Sequence, residues 1–356
     1  MQKNSCNGYK KNCHFEENAP ICLINLSAIK DNANLVKEKT NAKFCAVVKS
    51  DAYGHGIVEC ANELFNACDY FAVGTVEEGI KLRIAGINTP ILCLIPVKDI
   101  YRACRYGIDI VVHTYSYAKS VRSFCNKFGI TACVHVAVNS GMNRLGIDNL
   151  CDLKKIISLS CDNFQIKGVF SHLFSGENII TSEKQLIKFI PYVNELKSFN
   201  SKVLAHISAT SGFSLDAKFH LDMARIGLAM YGYNAINDTF PLKKAMKVVA
   251  PLVQARNLKT GENLLYGDYK VKSDINIGIY GYGYSNGSRN GVKNIKNNAC
   301  MNICAIKGNK KCVEIMNDAS IIAKSEKTIV YDILTRFGLS CKRVYYYGDK
   351  DESCFW

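Results

Sequence analysis

One stretch near the start of the chain, Phe44 to Gly56, combines residue types that can do chemistry. An apolar run typical of a buried strand stops at Lys49, and a glycine-rich, turn-forming segment with Tyr53 and His55 follows. Burial lowers the pKa of an amine and makes it a nucleophile or base near neutral pH. Schiff-base chemistry with a carbonyl cofactor uses such a lysine. Position alone favours the alternative, in which Lys49 extends past the strand end into solvent.

Length and composition indicate an ordinary globular protein. The 356 residues are enough for one large α/β domain and a smaller one, and 48% of them are hydrophobic and 21% charged. No apolar run approaches the roughly 18 residues that span a bilayer. The polar stretch from Met1 to Pro20 lacks the apolar core of a secretory signal. The sequence therefore predicts a cytoplasmic protein with no membrane partner.

The spacing of the cysteines and the distribution of the lysines argue against two further classes of protein. The chain has 17 cysteines but no CxxC pair, which predicts free thiols and no zinc-ribbon or zinc-finger site. A net charge of +14 is compatible with a nucleic-acid partner or an acidic membrane surface. The lysines are nevertheless scattered through helix-like segments, and no basic block is interleaved with aromatic residues. We therefore expect no nucleic-acid partner.

Short apolar strands alternate with helical segments from Ile21 onward. Counting the strand before Lys49 as the first, eight strands are predicted, at residues 44–48, 70–74, 90–95, 108–112, 133–138, 166–170, 203–207 and 222–227. This number and spacing are typical of a closed (β/α)8 TIM barrel. Helix starts are predicted at an N-cap, Ser27, and at capping boxes, Thr75 with Glu78 and Ser182 with Gln185, while Pro191 is expected to kink its helix.

The residue pattern of the sequence changes at residues 234–239. Beyond them the segments are short, alternating and rich in β-branched residues, with one helical turn expected around Tyr331–Phe337. The predicted fold is therefore α/β plus β. Its parts are a disordered tail at residues 1–19, a (β/α)8 barrel at residues 20–236 and a mostly β C-terminal domain at residues 237–356.

The barrel prediction makes a catalytic Lys49 more plausible. Barrel enzymes carry their chemistry at the carboxyl ends of the strands, where Lys49 falls, and His172 and Arg225 fall at other strand ends. Barrel phosphate sites commonly use the loops after the seventh and eighth strands, which hold Thr210 and Gly227. A buried lysine, a phosphate cradle and a flanking aromatic together favour pyridoxal phosphate as cofactor.

Several motifs in the expected order resemble the alanine racemase family, which consists of fold-type III pyridoxal-phosphate enzymes. They are VKSDAYGHG at residues 48–56, NSGMNRLG at 139–146, SHL at 171–173, HIS at 206–208, DMARIG at 222–227, LYG at 265–267, GYSNG at 283–287 and CMN at 300–302. The resemblance covers nearly the whole chain from Ile21.

The resemblance implies two acid–base groups. Lys49 would hold pyridoxal phosphate covalently and then act as one base. Tyr266 would be the other, reaching into the active site of the partner in a head-to-tail homodimer with shared active sites. Racemisation needs a base on each face of the α-carbon, because one removes the proton and the other returns it to the opposite face. A tyrosine of ordinary pKa, about 10, is a poor base at neutral pH. The resemblance pairs Tyr266 with His172, which would also pack near the cofactor ring.

The resemblance also implies how cofactor and substrate are held. Arg225 would face the pyridine nitrogen and keep it unprotonated, although an ordinary salt bridge to Asp222 is the alternative. The backbone N–H of Met301 and the side chain of Arg144 would bind the amino-acid substrate. The phosphate would be bound by Tyr53, Thr210, Gly227 and the backbone of Leu228.

The chain departs from the family pattern around this site. Many members carry a lysine, often carbamylated, where this chain has Ala137, and its negative charge balances the arginine that matches Arg144. Chloride or the substrate carboxylate would have to serve instead. The other departures are Asn139, Ile226, Asn302 and Leu339.

The first hypothesis is a cytosolic alanine racemase that supplies D-alanine for cell-wall peptidoglycan. A second keeps the fold and cofactor but changes the substrate to serine, lysine or ornithine. A third is a weakly active or non-catalytic pyridoxal-phosphate-binding protein. The second domain, with Tyr266, argues against the third.

Overall fold

A computed structural model of the chain describes residues 18–236, 240–267, 269–287 and 299–348. The expected tail at residues 1–19 therefore lies almost entirely outside the described residues, as does the chain after residue 348. The protein forms two compact units. One contains Leu26–Ala245, and the other contains the chain up to Asn25 together with the chain from Met246 onward. Within the described ranges, no helix combines the length and apolarity needed to cross a membrane.

Strands and helices alternate through the first unit and mix less regularly in the second. The strands are β1 (Ile21–Asn25), β2 (Lys43–Val47), β3 (Tyr70–Val73), β4 (Ile91–Cys93), β5 (Ile108–Val112), β6 (Ala132–Ala137), β7 (Phe164–Phe170), β8 (Leu204–His206), β9 (Met223–Ile226), β10 (Met246–Leu258), β11 (Ile275–Tyr280), β12 (Cys304–Lys307), β13 (Cys312–Met316) and β14 (Lys342–Tyr346). The helices are α1 (Leu26–Glu38), α2 (Lys49–Tyr53), α3 (Ile57–Leu64), α4 (Val76–Ile84), α5 (Ile100–Arg105), α6 (Tyr115–Phe128), α7 (Leu150–Ile157), α8 (Ile179–Phe199), α9 (Thr210–Leu215), α10 (Ala319–Glu326) and α11 (Val330–Ser340). Short 3-10 helices lie at Ala217–Phe219, Leu228–Tyr231 and Tyr284–Asn286.

The first unit is a (β/α)8 barrel, which confirms the predicted fold. Its eight strands follow the order β8-β7-β6-β5-β4-β3-β2-β9, and each neighbouring pair is parallel. The ends of the sheet meet where Asp222 N donates to Ala205 O at 3.0 Å and Arg225 N donates to Ser208 O at 3.2 Å. Buried parallel strands read as continuous apolar runs. The carboxyl ends of all eight strands therefore lie on one face.

The helix starts agree only partly with the sequence. Thr75 and Glu78 form the predicted capping box of α4. The other two predictions are wrong, because α1 already includes Ser27 and α8 begins after Asn178, whose side chain accepts the N–H of Thr181. Pro191 lies inside α8, which continues to Phe199.

The second unit is built on a six-stranded sheet with the path β12-β11-β10-β1-β14, and β13 also pairs with β10. Strand β1 runs antiparallel to β10 and parallel to β14. The structure thus assigns residues 21–25 to this sheet, whereas the sequence placed them at the start of the barrel domain. Two helices, α10 and α11, replace the single helical turn expected near Tyr331. A buried cluster of Leu264, Val271 and Ile277 lies on β11 and the preceding loop.

Candidate active site

Lys49 lies where the sequence predicts, at the carboxyl end of β2. Val48 N donates to Ala72 O at 2.9 Å and extends the ladder between β2 and β3 by one residue. Lys49 follows at once as the first residue of α2. Barrel enzymes carry their chemistry on the face formed by the carboxyl ends of the strands, which we call the working edge. The backbone places the Lys49 amine at this edge.

The turn after Lys49 is left-handed. Ser50, Asp51, Ala52 and Tyr53 all have φ between 54° and 56°, and Gly54 has φ 84°. Each such residue costs roughly 1–2 kcal/mol in an L-amino-acid chain, and only glycine adopts this region routinely. Strain of this kind persists only where the surroundings over-determine it, and it concentrates at functional sites. The sequence indicated a turn here but not its handedness.

Glu78 and His55 hold this strained turn. The Glu78 carboxylate accepts Asp51 N at 3.1 Å through Oε1 and Gly74 N at 2.8 Å through Oε2. His55 is fully buried, lies 2.9 Å from Ala52 O through Nδ1 and stacks on Tyr231 with 4.4 Å between ring centroids. The capping residue of α4 therefore also fixes the segment that begins at Lys49.

Burial lowers the pKa of the Lys49 amine below its usual value, and the positive charges of Arg144 and Arg225 lower it further. The Glu78 carboxylate acts in the opposite direction. The balance increases the fraction of neutral amine near neutral pH, which a nucleophile or base requires. The alternative of a lysine directed into solvent does not account for this environment.

Arg225, in β9, is 4% exposed and makes its hydrogen bonds inside the barrel. Its Nη2 donates to Ser171 O at 2.8 Å and to Ile207 O at 3.1 Å, and its Nη1 lies 2.6 Å from His206 Nδ1. The alternative salt bridge to Asp222 is wrong, because Asp222 pairs with Lys197 at 2.7 Å. Burial lowers the pKa of Arg225 to about 10, so it stays charged at neutral pH.

His172 lies next to this arginine. Its Nδ1 is 3.2 Å from Arg225 Nη2, and because a guanidinium only donates, the histidine nitrogen accepts. Burial first, and then the charges of Arg225, Arg144 and Lys49, lower the pKa of His172 to about 3. His172 is therefore a neutral acceptor beside several cations. Gln185, which the sequence assigned to a helix cap, instead donates to His172 O at 3.0 Å.

Of the residues predicted to bind phosphate, Tyr53 lies after β2, Thr210 after β8, and Gly227 and Leu228 after β9. A Cβ built on Gly227 would lie 2.5 Å from the Tyr53 hydroxyl, so this position admits only glycine without a shift of the ring. Thr210 Oγ1 accepts Ala229 N at 3.4 Å and joins the two strand ends. Ser208 is fully buried, and its hydroxyl has no hydrogen-bond partner among the residues described. An orphaned buried hydroxyl beside this edge is a donor available to a ligand.

The loop that carries Arg144 is organised by Asn139. Its Oδ1 accepts Gly141 N and Asn143 N at 3.2 and 2.9 Å, and its Nδ2 donates to Asp148 Oδ1 at 2.8 Å. An aspartate at this position, as in the family pattern, could not donate to Asp148. The Ala137 side chain is buried in an apolar cluster inside the barrel.

Tyr266 and Met301 belong to the second unit. Tyr266 is 78% exposed, between Leu265 and Gly267, which have φ of 54° and 87°. Met301 is 57% exposed, and its carbonyl accepts the Ser285 hydroxyl at 2.6 Å. Leu339 is exposed on α11. These side chains are available for contacts outside their own unit.

Sequence reasoning missed three buried polar residues inside the barrel. Asp109 and His135 interrupt otherwise apolar strands, and His206 was noted only as part of a motif. A polar residue inside a buried strand is itself the signal that could have singled them out, because burial demands a partner.

The fold and the position of Lys49 define the class: a (β/α)8 barrel with an amine of lowered pKa at the carboxyl ends of its strands. Residues 24–235 match the family model described as alanine racemase, N-terminal domain. An alanine racemase of Thermodesulfovibrio yellowstonii is 33% identical over 93% of this chain and 96% of its own. One from Streptococcus uberis is 33% identical over 75% of each chain. The chain belongs to the alanine racemase family.

Solved structures agree with this assignment. Alanine racemase of Clostridium difficile 630 is similar with a TM-score of 0.87 and 26% identity, covering 93% of this chain and 96% of that one. The alanine racemase of Bartonella henselae, solved with covalently bound pyridoxal phosphate, shares the fold with a TM-score of 0.81 at 24% identity, over 92% of this chain and 99% of that one.

Proposed function

We propose that the protein is a pyridoxal-phosphate-dependent alanine racemase that interconverts L- and D-alanine. The observation that carries the proposal is Lys49, an amine of lowered pKa at the working edge of the barrel in a chain of this family. Relatives that match over most of their length are alanine racemases.

The residues at this edge fit pyridoxal phosphate. The cofactor is a phosphate ester with a reactive aldehyde, and the edge offers a poised amine, several cations and the orphaned Ser208 hydroxyl. Tyr53, Thr210, Gly227 and the backbone of Leu228 would hold the phosphate, as the Gly227 cradle against Tyr53 supports. When bound, the cofactor withdraws electrons from the substrate α-carbon and acidifies its proton.

Two bases would then exchange that proton. Lys49 acts on one face, because its lowered pKa leaves neutral amine available. Tyr266 would act on the other face, as the acid that returns the proton in one direction and as the base that removes it in the other. His172 is neutral and accepts from Arg225 at Nδ1, so its Nε2–H would be the group that pairs with the Tyr266 oxygen and assists its proton loss. Arg225 would face the pyridine nitrogen and keep it unprotonated.

Tyr266 would come from a second copy in a head-to-tail homodimer. The support is that apolar and aromatic side chains of the second unit lie exposed: Tyr266, Tyr269, Tyr284 and Met301. Exposed aromatic side chains are among the residues enriched at protein–protein interfaces. Arg144 and the backbone N–H of Met301 would bind the substrate carboxylate. In this proposal the enzyme acts in the cytoplasm and supplies D-alanine for peptidoglycan.

Incubation with each L-amino acid in deuterated water tests this function. We expect α-deuterium and D-isomer from alanine, none with Lys49→Ala, and an exchange step slowed for one enantiomer far more than the other with Tyr266→Phe. Faster turnover of serine, lysine or ornithine would replace alanine as substrate. Binding of the cofactor without any racemisation would reject the enzyme assignment.

A further inference from the structure

A continuous line of polar side chains crosses the barrel interior and ends on Arg225. The Tyr70 hydroxyl donates to Asp109 Oδ2 at 2.9 Å, and the same oxygen lies 3.6 Å from His135 Nε2. His135 Nδ1 is 2.9 Å from His206 Nε2, and His206 Nδ1 is 2.6 Å from Arg225 Nη1. The five residues come from five strands, β3, β5, β6, β8 and β9.

The barrel is built around this line. His135 and His206 are both fully buried, where (β/α)8 barrels are usually filled by branched apolar side chains. Strand β7 has Gly168 beside His135, and a Cβ on that glycine would overlap the imidazole ring. His206 stacks on Phe170 with 5.2 Å between centroids at 7°. Gly168 therefore provides the space for the His135 ring, and Phe170 fixes the orientation of the His206 ring.

The hydrogen positions along the line follow from Arg225 at one end, and the negative charge of Asp109 at the other end favours the same arrangement. Arg225 only donates, so His206 Nδ1 accepts and the His206 proton sits on Nε2. That proton is donated to His135 Nδ1, which places the His135 proton on Nε2, directed at Asp109. The 3.6 Å separation there is too long for a hydrogen bond, so the contact is electrostatic. Burial and the charge of Arg225 lower the pKa of His206 well below its usual value, consistent with a neutral ring.

The line also links a buried cation to a carboxylate. The acceptors that the described residues offer to Arg225 are neutral carbonyls and imidazoles. Each imidazole of the line turns its lone pair toward Arg225 and its N–H toward Asp109. Aligned dipoles of this kind are strong in a low-dielectric interior, and they stabilise both charges at once.

We propose that Asp109 is a positioning residue that, through His135 and His206, fixes the orientation of Arg225 toward the cofactor ring. The role of Arg225 at the ring rests on the proposed function, whereas the polarity of the line does not. Asp109 is near the amino end of β5 and so acts from the side of the barrel opposite the chemistry.

Asparagine at position 109 would remove the common direction of the N–H groups of His135 and His206. It removes the negative charge that attracts the His135 Nε2 proton, which lets the His135 proton move to Nδ1 and the His206 proton follow to its own Nδ1. Two donors would then face each other across the 2.6 Å contact with Arg225. We expect the guanidinium to lose this acceptor and its fixed orientation.

Two-dimensional NMR of 15N-histidine-labelled, cofactor-free protein tests the line without using activity. In the wild type we expect His206 and His135 as neutral Nε2–H tautomers. Asp109→Asn should populate the Nδ1–H form of His206, while Tyr70→Phe, which keeps the carboxylate, should not. Asp162→Asn, an exposed aspartate outside the line, is the matched control.

The loaded enzyme gives the second readout. Asp109→Asn should lower kcat about tenfold with KM for alanine unchanged and shift the absorbance maximum of the bound cofactor, because, of the groups proposed to touch the cofactor, only Arg225 is displaced. A wild-type His206 that is protonated on Nδ1 overturns the proposal even if Asp109→Asn does not fold. So does an Asp109→Asn protein with unchanged tautomers and kcat. Racemase activity of the wild type, measured separately, decides the proposed function.

Discussion

The Glu78 carboxylate accepts the backbone N–H of Asp51 at 3.1 Å while it caps α4 through Gly74 N and Thr75 N. A single side chain thus joins the start of one helix to the left-handed turn that begins at Lys49. Because each of those turn residues is strained, the turn depends on contacts such as this one.

Glu78→Gln tests that dependence. The amide has one acceptor oxygen where the carboxylate has two, so it cannot accept from both Asp51 N and Gly74 N. We expect a loss of about 1.5–3 kcal/mol in the free energy of unfolding, measured in urea. The lost negative charge also lowers the pKa of Lys49 further, which the pH dependence of amine labelling would report. The control is Glu77→Gln, since Glu77 is an exposed partner of Arg102. Equal effects of the two variants would contradict the assignment.

The Asn139 loop supplies a prediction about the substrate. Asn139→Asp places a second carboxylate 2.8 Å from Asp148 and should displace the loop that carries Arg144. We expect KM for alanine to rise several-fold, with about 1 kcal/mol or less lost in stability because the loop is exposed. The double variant Asn139→Asp, Asp148→Asn restores a donor and acceptor pair and should recover KM. No recovery would show that the loop is held in another way.

Stability at low pH follows from His172. Its pKa in the folded chain is about 3, whereas an unfolded histidine titrates near 6.5. Below pH 6.5 the unfolded chain binds a proton that the folded chain does not, so this residue reduces stability as the pH falls from about 6.5 toward 3. At pH 5 the loss is about 2 kcal/mol. Urea unfolding of cofactor-free protein at pH 7.5 and pH 5 measures it. His172→Gln should remove that part of the pH dependence, and an unchanged dependence would contradict this account.

Replacement of Gly168 by a larger residue is predicted to lower the stability of the fold, because the packing leaves no room for a side chain. A methyl group there overlaps the His135 ring, and overpacking of this kind costs about 1–3 kcal/mol. Thermal and urea unfolding of Gly168→Ala should show that loss. In a His135→Ala background the same change should cost less than about 1 kcal/mol. A cost that is equal in both backgrounds would place the strain in the backbone.

Much of the barrel was predictable because its signals are local. All eight strands and the position of Lys49 at a strand end follow from apolar runs and their interruptions, and the capping box of α4 follows from the spacing of Thr75 and Glu78. The partner of β1 was not predictable, because β10 and β14 lie more than 200 residues further along the chain and leave no local trace. The Ser182 and Gln185 pattern was misleading, since such spacing also occurs inside helices, as in α8.

The candidate site was likewise predictable only in part. Residue types indicated Lys49, His172 and Arg225, but their mutual contacts depend on how strands distant in sequence are brought together. The left-handed turn had no signal of its own, because Ser50 to Tyr53 contain no glycine. The catalytic and binding roles assigned to individual residues stay predictions until the variants are measured.

The pairing of β1 affects the order in which the two units can fold while the chain is being synthesised. The barrel unit is one continuous stretch, Leu26–Ala245, so it can fold as soon as that stretch has left the ribosome. Strand β1 is made before it, and the partners of β1 among the described residues, β10 and β14, are made after it. The edge of β1 therefore stays unpaired while the whole barrel is translated, and nascent chains are exposed to wrong pairing at Ile21–Asn25 for that interval.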